Sequence, residues 1–135
     1  MNFVSLDTRI PQCVLDLGCG DGELVREAVV RGCQALGVDL NPPSTRSNNE
    51  IYTNSSIDDF VLSSTAQKFD VVVMSHSLEH LSDPRQIIHS VEKNLLKESG
   101  KLVVVVPNPY SITARLFRSK WGYWQVPVHL HHFSV

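Results

Sequence analysis

Strands that alternate with helices, the first of them joined by a glycine-rich turn, predict an α/β domain built on a parallel sheet. Three observations carry that prediction. The apolar run from Gln12 to Leu17 stops at Gly18-Cys19-Gly20-Asp21-Gly22, where three glycines within five residues permit positive φ angles. Phe69 to Met74 is apolar on both faces, as strands inside parallel sheets are. A capped amphipathic segment opening at Asp83-Pro84 leads into the apolar run Leu102 to Val106.

Each element follows from its local pattern. After the glycine turn the spacing becomes helical: Leu24, Val25, Ala28 and Val29 share one face, Asp21 is placed to cap the start, and Gly32 falls where a helix ends. Ala35 to Leu40 is the second strand, with Asp39 near its end. Residues 41–50 are polar and broken by two prolines, which predicts a loop with at most one helical turn. Ile51 to Asn54 reads as a short third strand and Ile57 to Leu62 as a short helix before the fourth strand at Phe69. In the next helix Pro84 takes the first position, Gln86 the capping-box slot, and Ile87, Ile88, Val91 and Leu95 point inward, with a stop before Gly100. A basic stretch, Ser111 to Lys120, and an aromatic tail, Trp121 to Val135, complete one domain over residues 1–135.

Composition narrows the partners. Twelve basic and fourteen acidic residues give a net charge of -2, so no uniform positive field draws nucleic acid or anionic lipid. The longest apolar runs are far shorter than the roughly 20 residues needed to span a bilayer. The N-terminus lacks the charged start and apolar core of a secretion signal, so the expected compartment is the cytoplasm. Cys13, Cys19 and Cys33 form no CxxC pair and are assigned no redox or metal role.

In a doubly wound sheet, ligands bind beyond the carboxyl ends of the strands where strand order reverses, and the glycine turn marks that crevice. A dinucleotide turn would read GxGxxG, but here Glu23 stands where the third glycine belongs, and no Gly-Lys-Ser/Thr of a phosphate loop follows. Asp16, Asp21 and Glu23 surround the turn. A carboxylate about 5 Å from a phosphate charge costs roughly 3 kcal/mol at an effective dielectric of 20. The acids suit a ligand with cationic groups and a ribose, whose hydroxyls a carboxylate at Asp39 would accept. S-adenosylmethionine, with its sulfonium and ammonium, meets that description.

Val14-Leu-Asp-Leu-Gly-Cys-Gly-Asp-Gly22, Gly37-Val-Asp-Leu40, Phe69-Asp-Val-Val-Val73, Leu78-Glu-His-Leu81, Leu95 to Gly100 and Pro107-Asn108 together resemble the class I S-adenosylmethionine-dependent methyltransferases, in particular the small-molecule enzymes with a Leu-Glu-His loop. The resemblance runs over about residues 12 to 134. It implies a Rossmann-like sheet of about five strands in this chain, without the family's final antiparallel hairpin, so that the C-terminus looks truncated. It implies that Asp16, Gly18, Cys19 and Gly20 line the methionine part of S-adenosylmethionine or its product S-adenosylhomocysteine. Asp39 then holds the ribose, Leu40 packs on the adenine, Ser56 and Ile57 lie beside its amino edge, and Ser75 offers backbone to the ammonium. Relatives often carry an acid where this chain has Ser56. The Arg-Leu-Phe and Trp-Gly segments resemble enzymes acting on glycan- or lipid-linked products, which implies a small-molecule methyl acceptor, O-methylation being favoured. A truncated, non-catalytic binding module or subunit is the alternative. With the final strands missing, the fifth strand is an open apolar edge, expected to be covered by a second subunit in a homo-oligomer, a partner chain, or the segment Val126 to Phe133.

Histidines are the candidate bases for a hydroxyl acceptor: His76, His80, His129 and His131, with His80 first because the Leu-Glu-His loop lies near the crevice. His76 to His80 also spells HxxEH, a zinc-peptidase pattern, but a buried strand ends just before it and Ser82-Asp83-Pro84 follows, leaving barely a turn of helix. No metal is expected there.

Overall fold

The computed structural model describes residues 12–45, 49–63, 67–122, 124 and 128–133. Five strands, β1 (Cys13–Leu17), β2 (Gln34–Asp39), β3 (Glu50–Asn54), β4 (Phe69–Ser75) and β5 (Leu96–Val105), form one sheet in the order β3-β2-β1-β4-β5. Every pairing is parallel. Among the described residues four α-helices accompany them: α1 (Glu23–Val30), α2 (Ile57–Leu62), α3 (Pro84–Asn94) and α4 (Ile112–Phe117). This is the Rossmann-like sheet expected from the sequence, and strand order reverses at β1, between β2 and β4.

Alternation along β1 supplies both faces of the sheet. Leu15 and Leu17 join Val38, Phe69, Val72, Met74, Ile87, Val91 and Leu95 on the side covered by α2 and α3. Val14 joins Val25, Ala28, Cys33, Ala35, Val71 and Val73 on the side covered by α1. Fully burying one such side chain contributes about 1.5–3 kcal/mol, so these two layers hold the strand ends that carry the site.

Several boundaries differ from expectation, each for a physical reason. The cap of α1 is Gly22, at φ 78, and not Asp21, whose Oδ1 instead accepts the Glu23 N–H at 3.3 Å. Two strands are displaced by a residue: β2 ends at Asp39, leaving Leu40 63% exposed, and β3 begins at Glu50. Helix α3 starts as expected, with Asp83 Oδ1 accepting the Gln86 N–H at 3.0 Å, but ends at Asn94, and β5 begins at Leu96. Phe69 pairs with Leu96 and Val71 with Lys101, so four residues bulge opposite Asp70. Lys97 within the bulge reaches back to Asp70 Oδ2 at 2.8 Å, which also accepts the Cys13 N–H at 2.8 Å. Around α4, Ala114 and Trp121 are buried, whereas Tyr110, Ile112, Leu116 and Phe117 are exposed. No helix among the described residues is long and apolar enough to cross a membrane.

Candidate functional site

The site is assembled where β1, β2 and β4 end. Gly18, at φ 84, donates its N–H to Val38 O at 2.8 Å, and the Cys19 N–H reaches the same carbonyl at 3.1 Å. The chain turns there so tightly that a Cβ on Gly18 would lie 2.6 Å from Ser77 Cβ and 3.5 Å from Ile57 Cδ1. Glycine is therefore required, and Gly18, Ile57 and the loop after β4 meet at one point. Gly20, at φ 51, donates to Asp39 Oδ2 at 3.0 Å, and a Cβ there would meet nothing within 4 Å. That face of the turn is open to a ligand.

Two carboxylates give this opening its charge. Asp16 is buried, and its Oδ1 has no hydrogen-bond partner among the described residues. Burial, reinforced by the negative charge of Asp39, pushes its pKa from the ordinary 3.8 up to about 7. Asp39 is half-buried and fixed by two backbone donors, Gly20 N–H on Oδ2 and Asn41 N–H on Oδ1, both at 3.0 Å. Each of its oxygens keeps a further lone pair for a hydroxyl. Burial and the two nearby acids also push the Cys19 thiol up to about 12, so it remains a neutral, packed group. The exposed Leu40 side chain follows Asp39, its carbonyl held by Asn54 Nδ2 at 2.7 Å. An orphaned buried carboxylate, an anionic partner and an open glycine are what a cationic nucleoside such as S-adenosylmethionine needs.

Ser56 has another task. Its Oγ accepts the Asp59 N–H at 3.1 Å and donates to Asp59 Oδ2 at 2.6 Å, so the hydroxyl caps α2. Ser75 ends β4 opposite Val105, half-buried.

The loop after β4 carries the second half of the site. His76 adopts φ 54 and donates its N–H to Val105 O at 2.8 Å, and Leu78–His80 forms a single 3-10 turn, too short for the helix that HxxEH zinc chemistry needs. His80 Nδ1 lies 3.0 Å from Val128 O. A carbonyl only accepts, so Nδ1 carries the proton, and in the neutral ring Nε2 keeps a lone pair. Segment 128–133 crosses this turn, with Leu130 N–H at 2.8 Å and His131 N–H at 3.2 Å both on Glu79 O. Among the described residues its backbone bonds thus run to Glu79, not along β5; residues 126–127 of the expected covering segment lie outside the described residues.

Glu79 and buried His129 are what sequence reasoning undervalued. The Glu79 side chain is 1% exposed, and among the described residues neither carboxylate oxygen has a hydrogen-bond partner, although His76 Nδ1 stands 3.5 Å from Oε1. Glu79, His80 and His129 each place a polar atom within 4.8 Å of the others, close enough to share a proton or a cation. The His80 and His129 rings meet edge-on, 4.8 Å apart. Only the return of a segment some fifty residues downstream reveals this, and a local pattern carries no sign of it.

Fold and site together define an α/β domain built for a cationic nucleoside. The chain belongs to the methyltransferase-domain family, which matches residues 2–135 and whose cofactor is S-adenosylmethionine. It is 38% identical over 101 residues to a ubiquinone biosynthesis O-methyltransferase of Actinobacillus pleuropneumoniae serotype 7, covering 66% of this chain and 43% of that protein. A ubiquinone biosynthesis O-methyltransferase of Xanthomonas oryzae pv. oryzae is 30% identical over 132 residues, 90% of this chain and 54% of the relative. Among solved structures, a SAM dependent methyltransferase from Archaeoglobus fulgidus superposes with TM-score 0.67 and 25% identity, over 93% of this chain and 55% of the other. One from Mesorhizobium loti gives TM-score 0.62 and 25% identity, over 80% and 52%. The chain spans about half the length of the curated relatives it matches.

Proposed function

We propose that this chain is the cofactor-holding part of an S-adenosylmethionine-dependent methyltransferase that acts on a hydroxyl of a small-molecule acceptor. The observation that carries the reading is the Asp16–Asp39 pair beside the open face of Gly20, an anionic pocket at the strand-order reversal. When bound, S-adenosylmethionine supplies an electrophilic methyl group on a positively charged sulfur. The remaining work belongs to the chain. Asp39 accepts the ribose hydroxyls, Gly18 and Gly20 give the methionine part close backbone approach, and Asp16 and Cys19 form the floor beneath it. Leu40 covers one face of the adenine, Ser56 and Ile57 border its amino edge through backbone, and Ser75 offers its carbonyl to the ammonium.

His80 is the proposed base. With Nδ1 held by Val128 O, its Nε2 takes the proton from the acceptor hydroxyl as that oxygen attacks the methyl group. Alignment and exclusion of water do most of the rest, because the leaving group is already good. The names of the relatives, ubiquinone biosynthesis O-methyltransferases, support oxygen as the methylated atom. A cytoplasmic location and a second chain along the free edge of β5 complete the reading.

Calorimetry of the chain with S-adenosylmethionine, S-adenosylhomocysteine and NAD tests it. The expected result is micromolar-range binding of the two sulfur nucleosides and none of NAD; the reverse preference overturns the reading. A radiolabelled methyl-transfer assay on phenolic acceptors then tests the reaction itself.

A further inference from the structure

The glycine turn is held on one side by Asp39, and a different residue holds it on the other. In the parallel register Gly37 pairs with Asp16 on one side and with Tyr52 on the other, so all three lie in one row across the sheet. Because Gly37 has no side chain, the Tyr52 ring lies across it: a Cβ on Gly37 would stand 2.7 Å from Tyr52 Cδ1 and 2.8 Å from Cys19 Sγ. The hydroxyl ends beneath Gly22, where any Cβ would collide with it. It donates to Glu50 Oε1 at 2.9 Å and lies 3.4 Å from Gly22 O. Glu50 is buried, and burial followed by its nearby charge pushes the Tyr52 pKa up to about 12. Arg26 of α1 acts on the same hydroxyl and places Nη1 2.5 Å from Asp21 O, within the turn.

We infer that Tyr52 is a positioning residue for cofactor binding, setting the Gly18–Gly22 turn from the β3 side through Gly22. Buried Glu50 fixes the hydroxyl, and the ring fills the space that glycine at 22 and 37 leaves. The open face of Gly20 is thereby presented to the ligand in one geometry, and the ordering is complete before the ligand arrives. This rests on the cofactor reading above, and its test separates the two.

The test is calorimetric binding of S-adenosylhomocysteine, with urea unfolding and amide exchange, on wild type, Tyr52→Phe, and the double variant Glu50→Leu/Tyr52→Phe. Tyr52→Phe alone strands a buried carboxylate and so lowers stability as well as affinity. The double variant removes both partners and restores stability. Affinity is expected to fall about fivefold to tenfold in Tyr52→Phe and to stay low in the double variant, with faster exchange at residues 20–23 in both. Recovery of affinity together with stability in the double variant overturns the inference, because Tyr52 is then structural only. Unchanged affinity in Tyr52→Phe also overturns it. A wild-type chain that binds no S-adenosylhomocysteine overturns the cofactor reading itself and this inference with it.

Discussion

Replacing Asp16 by asparagine removes a carboxylate whose charge the fold resists. Its pKa stands at about 7 in the folded chain against an ordinary 3.8, through burial first and the Asp39 charge second. Between pH 4 and 7 the folded chain keeps a proton that the unfolded chain has released, so stability falls as pH rises through that window and levels off above about 7. At about 1.4 kcal/mol per pH unit the whole loss is roughly 4 kcal/mol, an appreciable share of the 5–15 kcal/mol typical of a domain. Asp16→Asn has no proton to hold. Urea unfolding of both proteins at pH 5, 6, 7 and 8 should show the stability of the variant relative to wild type rising by up to about 1.4 kcal/mol per unit from pH 5 to 7, then staying constant. Parallel curves for the two proteins across that range would refute the argument. So would a wild type that gains on the variant with rising pH.

Four further substitutions separate holding the cofactor from holding the fold and from doing chemistry. Gly18→Ala, at φ 84 with Ser77 Cβ 2.6 Å from the new methyl, should lose about 2–4 kcal/mol and most of its cofactor affinity, whereas Gly32→Ala, at φ 86 in open space, should lose only about 1 kcal/mol and keep its affinity. Asp39→Ala removes the anchor of the Gly20 N–H together with the proposed ribose acceptor, and calorimetry should record at least a tenfold weaker S-adenosylhomocysteine complex. His80→Ala should lower methyl transfer by about 10²- to 10⁴-fold while the cofactor dissociation constant, measured by calorimetry, stays within a factor of two.

Much of this architecture is legible because local and global preferences agree. Phe69 to Met74 is apolar on both faces and becomes a central strand, and Asp83 with Gln86 forms the cap its spacing announces. The misread boundaries are those decided elsewhere in the molecule. Leu96 pairs with Phe69 across a bulge, which the polar stretch Lys97 to Gly100 conceals. Gly22 caps α1 with its backbone because Tyr52 leaves no room for a side chain, and β3 lies thirty residues away. Within the candidate site, the positive φ of Gly18 and Gly20 and the Asp39 bond to the Gly20 N–H are legible because each answers a constraint inside a short motif. Ser56 stands three residues before Asp59, the spacing of a helix cap, and its hydroxyl serves that cap. Burial of Glu79 and His129 depends on the return of residues 128–133 onto the Glu79 carbonyl, a contact that the spacing within the Leu-Glu-His loop does not itself show.

That return also imposes an order on assembly. The ribose side of the proposed crevice is drawn from β1, β2 and the turn between β1 and α1, whereas the histidine side exists only once Leu130 and His131 have closed a loop of some fifty residues onto a single carbonyl. Longer closures form later and open earlier, because more chain entropy opposes them. Mild denaturant should therefore unfasten the wall bearing His80 while the nucleotide cradle still stands, so that ligand capture survives to higher urea than turnover does.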